Sequence, residues 1–490
     1  MMSHRFTATR TASVATSTEG PWFEGPRFKG PWFKGPCFGR ANGPGGDRIG
    51  FAPQRALARL LLVLLAFVAF AASAQQSGLE IDIIGGNASA LPIAVVPMPY
   101  QGSAAPPTTD IAEVVRNDLA RSGQFNALPE ADMAQRPIRG SDIQYDFWRR
   151  LRQDFVVVGR VLDTSDGGYR IEYEVFDAAK QERIIGTALT TRASAMREVA
   201  HQIADAIYEQ ILGVRGAFWT RIAYITQKGI GKGARYSLMV ADSDGYAPRE
   251  IIGGPHALMS PAWSPDGRKI AYVSFERGTP SIILQDTITT ARETLTSFKG
   301  INGAPSFSPD GRKLAMALSK SGNLEIYVMD LASRALTQLT NHFGIDTEPV
   351  WSADSASLYF TSDRGGRPQI YQVPVGGGSA TRITFQGAYN ARATVSPDGK
   401  KLAVAQGGGN VYRIAMLDRS LGSPRWSMLS PGSLDESPSF APNASMVLYA
   451  AREGGRGVLY AVSADARVRQ RLVVVGGDMR EPAWGPFRAR

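Results

Sequence analysis

The chain has 490 residues, 43% of them hydrophobic and 20% charged, a balance that permits a sizeable core and more than one domain. Its formal charge of +10 sits mostly at the front: residues 1–74 hold nine Lys/Arg against three Asp/Glu, and the remainder holds 45 against 41. That remainder has no Lys/Arg run and no aromatic–basic interleaving, so composition speaks against a nucleic-acid partner.

In chain order, residues 1–54 form an upstream segment without a core. It carries four Gly-Pro-x-Phe copies beginning at Gly20, Gly25, Gly30 and Gly35, and such a Pro/Gly-rich tract cannot pack. We expect a translation start assigned too far upstream, or a long basic region ahead of a signal sequence. Residues 55–74 then read as a secretory signal: Arg55 and Arg59, an apolar run from Leu60 to Ala72, and an Ala72-Ser73-Ala74 box, with cleavage expected after Ala74. The run is short for a membrane span, so the exported chain is not itself membrane-embedded. No Cys follows the box, which excludes lipoprotein attachment. Cys37 is the only cysteine and lies ahead of the cleavage point, so the exported chain has no disulfide, thiol nucleophile or Cys-based metal site.

Residues 75–215 alternate strand and helix. Leu79–Ile84 and Ile93–Val96 are expected strands. A helix from about Thr109 places Ile111, Val114, Val115 and Leu119 on one face. Phe155–Val158 is the continuous β-branched run of a strand buried on both faces, and Tyr169–Phe176 alternates after a turn at Asp166-Gly167-Gly168. Val199, Ile203, Ile207 and Ile211 stripe a last helix closed by Gly213. His201 lies beside that stripe and reads as a satisfied or solvated histidine.

Residues 216–490 are ruled by a repeat of the form Pro-x-Trp-Ser-Pro-Asp-Gly. Its anchors are Pro261, Pro305, Pro349, Ala393, Pro438 and Pro482, spaced by 44 or 45 residues. A period of that length is four short strands and their turns, one blade of a β-propeller. Pro presets φ, Asp bonds the backbone ahead and Gly accepts positive φ, while the Trp or Phe before the turn packs against the next blade. Hairpin second strands begin near Ile222, Ile270, Leu314, Leu358, Leu402 and Val447. The first lacks a Pro-x-Trp strand before it, and the last Pro-x-Trp, Pro482–Trp484, lacks a second strand. Joining them makes six blades and closes the ring. The expected fold is an α/β N-terminal domain followed by an all-β six-bladed propeller of WD-like repeats.

Catalytic patterns are missing. His201, His256 and His342 have no zinc-ligand spacing, and no cofactor or metal is expected. Asp242-Ser-Asp244-Gly245 hints at a calcium loop without its distal ligand and reads as a turn. There is no Gly-x-Ser-x-Gly elbow and no phosphate-binding loop. We read the chain as not an enzyme.

Leu258-Met-Ser-Pro-Ala-Trp-Ser-Pro-Asp-Gly267, Asn302-Gly-Ala-Pro305, Tyr327-Val-Met-Asp-Leu-Ala332, Ser362-Asp-Arg-Gly-Gly-Arg-Pro-Gln-Ile-Tyr371, Pro92-Ile-Ala-Val-Val-Pro97, Phe155-Val-Val-Val-Gly159 and Arg215-Gly-Ala-Phe218 together resemble the TolB family of the Gram-negative Tol–Pal system. The likeness covers essentially residues 75–490. It implies a non-enzymatic adaptor of the periplasm that binds the Pal lipoprotein through the propeller and TolA through the N-terminus. The role so implied is outer-membrane integrity and invagination during cell division.

Residues just before each Pro-x-Trp strand share one position per blade and must ring one face near the axis. From the resemblance, the Pal site is expected among Met259, Ser260, Ile301, Asn302, Gly303, Ala304, Thr347, Glu348, Arg392, Glu436 and Glu481. The N-terminal partner segment is expected at Gln75 to about Asp82, including Leu79 and Ile81, as a mobile end that pairs with a partner's sheet. Two other readings stand beside this one. A peptidase would need a hydrolase domain with a nucleophile elbow, and a periplasmic propeller binding a small ligand or glycan would use its central cavity.

Overall fold

The computed structural model describes residues 80–83, 90–420, 422–472 and 476–489. The upstream repeats, the signal sequence, Gln75 and Leu79 lie outside these residues.

The first body is a five-stranded sheet. Its strands are β2 (Leu91–Val95), β3 (Phe125–Ala127), β4 (Phe155–Asp163), β5 (Tyr169–Asp177) and β6 (Glu182–Thr191), in the order β3-β2-β4-β5-β6. β2 runs parallel to β3 and β4, and the rest pair antiparallel. Alternation along β2 and β4 feeds two cores. Ile93, Val95, Val157 and Val161 pack under α1 (Ile111–Arg121) and α3 (Met196–Leu212). Ala94, Val96, Val156 and Val158 pack on the other side against Trp148 of α2 (Tyr145–Arg150). Burial on both faces is why the run carries no polar residue. Asp110 caps α1 by accepting the N–H of Glu113 at 3.0 Å, and Gly213 ends α3 at φ 72°.

The second body is the six-bladed propeller, and each blade is an antiparallel sheet counted from the axis outward. Blade two (Leu258–Trp263, Lys269–Ser274, Ser281–Asp286, Arg292–Thr296) sets the pattern that blades three to five repeat from Asn302, Asp346 and Tyr389. Blade six runs from Glu436 to Leu472 and gains a fifth, outermost strand from β1 (Glu80–Ile83), paired with Val468–Leu472 in the register Glu80↔Arg471 to Ile83↔Val468. Blade one takes its inner strand, Asp478–Trp484, from the far end of the chain and its next three from Arg221–Lys228, Arg235–Asp242 and Arg249–Gly254. The ring closes as the repeat requires.

Turn chemistry repeats with the sequence. Ser264 Oγ donates to Asp266 Oδ1 at 2.5 Å, Asp266 accepts the N–H of Arg268 at 3.0 Å, and Ser264 accepts that of Lys269 at 2.9 Å. The same set recurs at Ser308/Asp310, Ser352/Asp354 and Ser396/Asp398. The last turn position is left-handed in every such blade. Gly267, Gly311 and Gly399 adopt it without penalty, whereas Ser355 and Ala444 hold φ of 59° at a cost of about 1 kcal/mol each. Tryptophans tie blades together, to the preceding blade rather than the next: Trp263 Nε1 donates to Ala483 O (3.2 Å) and Trp351 Nε1 to Ser306 O (2.9 Å). Each indole leans from its inner strand into the core between its own blade and the one before, as Trp351 does beside Ala315 and Ile326.

Strand direction defines two propeller faces. Pro-Asp-Gly turns and the turns between third and fourth strands share one; blade-to-blade links and the loops between second and third strands share the other. The α/β domain is fixed to the first, the turn face. Arg121 Nη2 donates to Ser243 Oγ (2.8 Å), Arg488 Nη2 to Glu198 Oε2 (3.0 Å), and Asn443 Nδ2 to Arg215 O (3.0 Å). Asn443 replaces the usual turn Asp, and its amide both shapes the turn and donates outward, which an ionised carboxylate cannot do.

Candidate binding faces

The six inner strands each carry a bulge just before the repeat's Pro or its equivalent, between Met259 and Ala262 in blade two and at matching places in the others. At each bulge a non-glycine residue is left-handed: Ser260, Ala304, Glu348, Arg392, Ser437 and Glu481 have φ between 46° and 56°. Six such positions, each costing about 1 kcal/mol, are held only because the surrounding blades over-determine them. Of the residues expected to ring the axis, Ser260, Ala304, Glu348, Arg392 and Glu481 do so, joined by Ser437.

They do not all face a partner. The bulge turns several side chains into the axial cavity of about 280 Å³, lined by Ser260, Ala304, Glu348, Arg392, Ser437 and Glu481. There they bond one another. Glu481 Oε2 accepts from Ser260 N (2.5 Å) and Oγ (3.2 Å). Glu348 accepts from Arg392 N (3.0 Å), Arg392 Nε (2.7 Å) and Thr361 Oγ1 (2.9 Å), and Arg392 Nη1 donates to Ser437 Oγ. Burial alone would lower the Arg392 pKa; the carboxylates of Glu348, Glu481 and Glu436 outweigh it and raise it. Asn302 is fully buried, accepting from Phe298 N (3.0 Å) and donating to Phe298 O (2.7 Å), so it shapes a loop rather than touching a partner. Ala304 packs on the core between blades three and four, and Gly303 and Thr347 are half-buried.

Met259 and Ile301 are the expected rim residues that present apolar surface to solvent. Beside them the structure sets residues the repeat did not flag. Phe298, Phe343 and Phe385 sit in blade-to-blade links, and Ile230 and Val411 at loops between second and third strands, all on the open face. Phe343 is 87% exposed, Phe385 73% and Ile230 92%. The signal that could have found them is one large apolar residue in each link entering blades three, four and five, six to eight residues before the anchor. Exposed Lys228, Lys232, Arg277, Lys299, Lys320 and Arg367 stand among the same loops, and Lys320 Nζ lies 4.7 Å from the Phe298 ring centroid. The open face is apolar and basic.

Of the expected N-terminal segment, Ile81 and Asp82 belong to β1, on the edge of this chain's own blade six. Among the described residues no helix is long and apolar enough to cross a membrane.

An α/β domain seated on the turn face of a six-bladed propeller, with apolar and basic side chains exposed on the opposite face, defines a two-domain propeller protein. Its sequence matches the profile of the TolB beta propeller domain over residues 208–488 and that of the TolB amino-terminal domain over 79–184. It is 70% identical over 436 residues to the Tol-Pal system protein TolB of Xanthomonas campestris pv. campestris (strain B100), covering 89% of this chain and 99% of that one. Identity to the protein of the same name from Xanthomonas oryzae pv. oryzae (strain KACC10331 / KXO85) is 71% over 436 residues, with the same coverage. The crystal structure of TolB from Acinetobacter baumannii superposes with a TM-score of 0.76 at 42% identity, covering 84% of this chain and 99% of that one. The chain belongs to the TolB family.

Proposed function

We propose that the chain is a non-enzymatic periplasmic adaptor of the Tol–Pal system, taking Pal on the open propeller face and TolA through the segment from Gln75 to about Asp82. Outer-membrane integrity and invagination during division are the processes it would serve. Family membership supports the system. The observation that carries the docking face is the apolar set Ile230, Met259, Phe298, Ile301, Phe343, Phe385 and Val411, exposed together on the side away from the α/β domain. Monomeric proteins rarely leave such a patch without a partner. The lysines and arginines among these side chains favour a partner surface that pairs apolar contacts with carboxylates. For the second partner, a strand held at the edge of blade six is a ready unit for strand addition, provided its pairs with Val468–Leu472 are given up first. The axial cavity is a poorer ligand site, because Glu348, Arg392 and Glu481 already bond one another or Ser260.

Calorimetric titration of the chain with the soluble domain of Pal from the same genome tests this reading. Saturable one-to-one binding is expected, weakening as salt rises. Phe343→Glu and Phe385→Glu should each lower affinity at least about tenfold with Tm unchanged, and Ile288→Glu, on the turn face, should leave it intact. No binding by folded protein, or equal loss from Ile288→Glu, would refute the face. Tight binding of a glycan without Pal would favour the small-ligand reading.

A further inference from the structure

Two features that the sequence presents separately, the lone His201 and the Asp242-Ser-Asp244-Gly245 turn, meet at the junction of the two domains. One ring nitrogen of His201 and one oxygen each of Asp242 and Asp244 lie within 4.8 Å of one another. His201 comes from α3 of the α/β domain and is 1% exposed. Its Nδ1 is 2.6 Å from Asp118 Oδ2 of α1, which leaves Nε2 for the aspartates; Nε2 is buried and has no hydrogen-bond partner. Asp242 and Asp244 come from the turn between the third and fourth strands of blade one, closed by Gly245 N donating to Asp242 O at 2.8 Å. Among the described residues the Asp242 carboxylate has no hydrogen bond. Asp244 is fixed by the N–H of Tyr246 (3.0 Å) and by Arg197 Nη2, and each of its oxygens keeps a free lone pair.

We propose that His201, Asp242 and Asp244 form a site for a divalent cation of the zinc class, joining the α/β domain to the propeller. Three arguments support it. The donor set is one imidazole and two carboxylates, which suits zinc better than the all-oxygen preference of calcium or magnesium, and it leaves a fourth position for water. Asp118 on the other ring nitrogen is the carboxylate that fixes tautomer and orientation in histidine–metal sites. Charge points the same way. In direct contact at this junction are the carboxylates of Asp118, Asp242 and Asp244 and the guanidinium groups of Arg121 and Arg197. With His201 neutral, as a metal ligand must be, three negative charges against two positive leave an excess that burial makes costly and that a cation would neutralise. Asp242 is only partly buried and gives the ion its way in.

The test is equilibrium dialysis of the full chain, stripped with chelator, against Zn²⁺, Ca²⁺ or Mg²⁺ alone, with metal counted per chain and Tm followed. One Zn²⁺ per chain and a raised Tm are expected, with Zn²⁺ held more tightly than Ca²⁺ or Mg²⁺. Asp242→Asn, partly exposed and safe for folding, and His201→Gln should each lower Zn²⁺ affinity at least tenfold. Anomalous scattering at the zinc edge should place the ion between the three side chains. The proposal is overturned by substoichiometric uptake, by an ion located elsewhere, by unchanged affinity in Asp242→Asn, or by equal binding of Ca²⁺. It is also overturned if both ring nitrogens of His201 stay protonated in the presence of Zn²⁺, because an imidazolium would then fill the place of the metal.

Discussion

Asp205 of α3 accepts the N–H groups of Phe218 at 2.8 Å and Trp219 at 3.4 Å, where the chain leaves the α/β domain for blade one. Burial pushes its carboxyl up to about 6. A folded value above the unfolded one means that the native state holds the proton more tightly. The stability gained is therefore complete below about pH 4 and lost as pH rises through about 6. Asp205→Asn stays neutral and should remove that slope. Urea titrations from pH 4 to 7 should show wild type losing at most about 2 to 3 kcal/mol relative to the variant. The turn aspartates have the opposite sign. The Ser308 hydroxyl on Asp310 and the Ser352 hydroxyl on Asp354 hold these carboxyls below their ordinary value. Their contribution is complete above about pH 4 and lost as pH falls, so acid loosens the blade turns while it relieves Asp205.

Gly213 shows how one backbone angle sets an element's end. At φ 72°, with open space where a Cβ would go, Gly213→Ala meets no clash and pays only for the left-handed backbone. Thermal unfolding should show a loss of about 1 kcal/mol. This helix was legible in the sequence because Val199, Ile203 and Ile207 all face the core; β4 was legible for the same reason. By contrast β6 was not. Glu182–Thr191 is a half-exposed edge strand with Gly186 at its middle, so neither face imposes a pattern. Nor was α2, whose six residues bury only Trp148. Near the axis the 44-residue period showed which stretch of each blade lies there. It could not tell that a bulge turns Glu348 and Arg392 inward. Phe343 and Phe385 recur only loosely, six to eight residues before the anchor, because nothing buries them and no packing fixes their place. The pairing of β1 with Val468–Leu472 joins segments nearly four hundred residues apart, beyond any local pattern.

At the scale of the whole molecule, closure depends on Asp478–Trp484. That strand pairs with Arg221–Lys228, and Trp484 Nε1 donates to Thr220 Oγ1 at 2.9 Å while its N–H reaches Ser439 Oγ of blade six at 2.9 Å. A chain stopped at residue 477 would leave Arg221–Lys228 as a bare inner edge and blade six without its neighbour. It should lose the single cooperative unfolding transition and scatter light on standing, which calorimetry and light scattering would read directly.

The same strand sets a clock. Blade one receives its outer three strands by Gly254 and its inner one only from Asp478. At ribosomal speeds of about 5 to 20 residues per second, roughly 10 to 45 s separate the two. Throughout that interval the first blade to leave the ribosome stays unfinished while blades two to six complete in turn. The ring therefore sets last, in a single step, when residues 478–484 arrive.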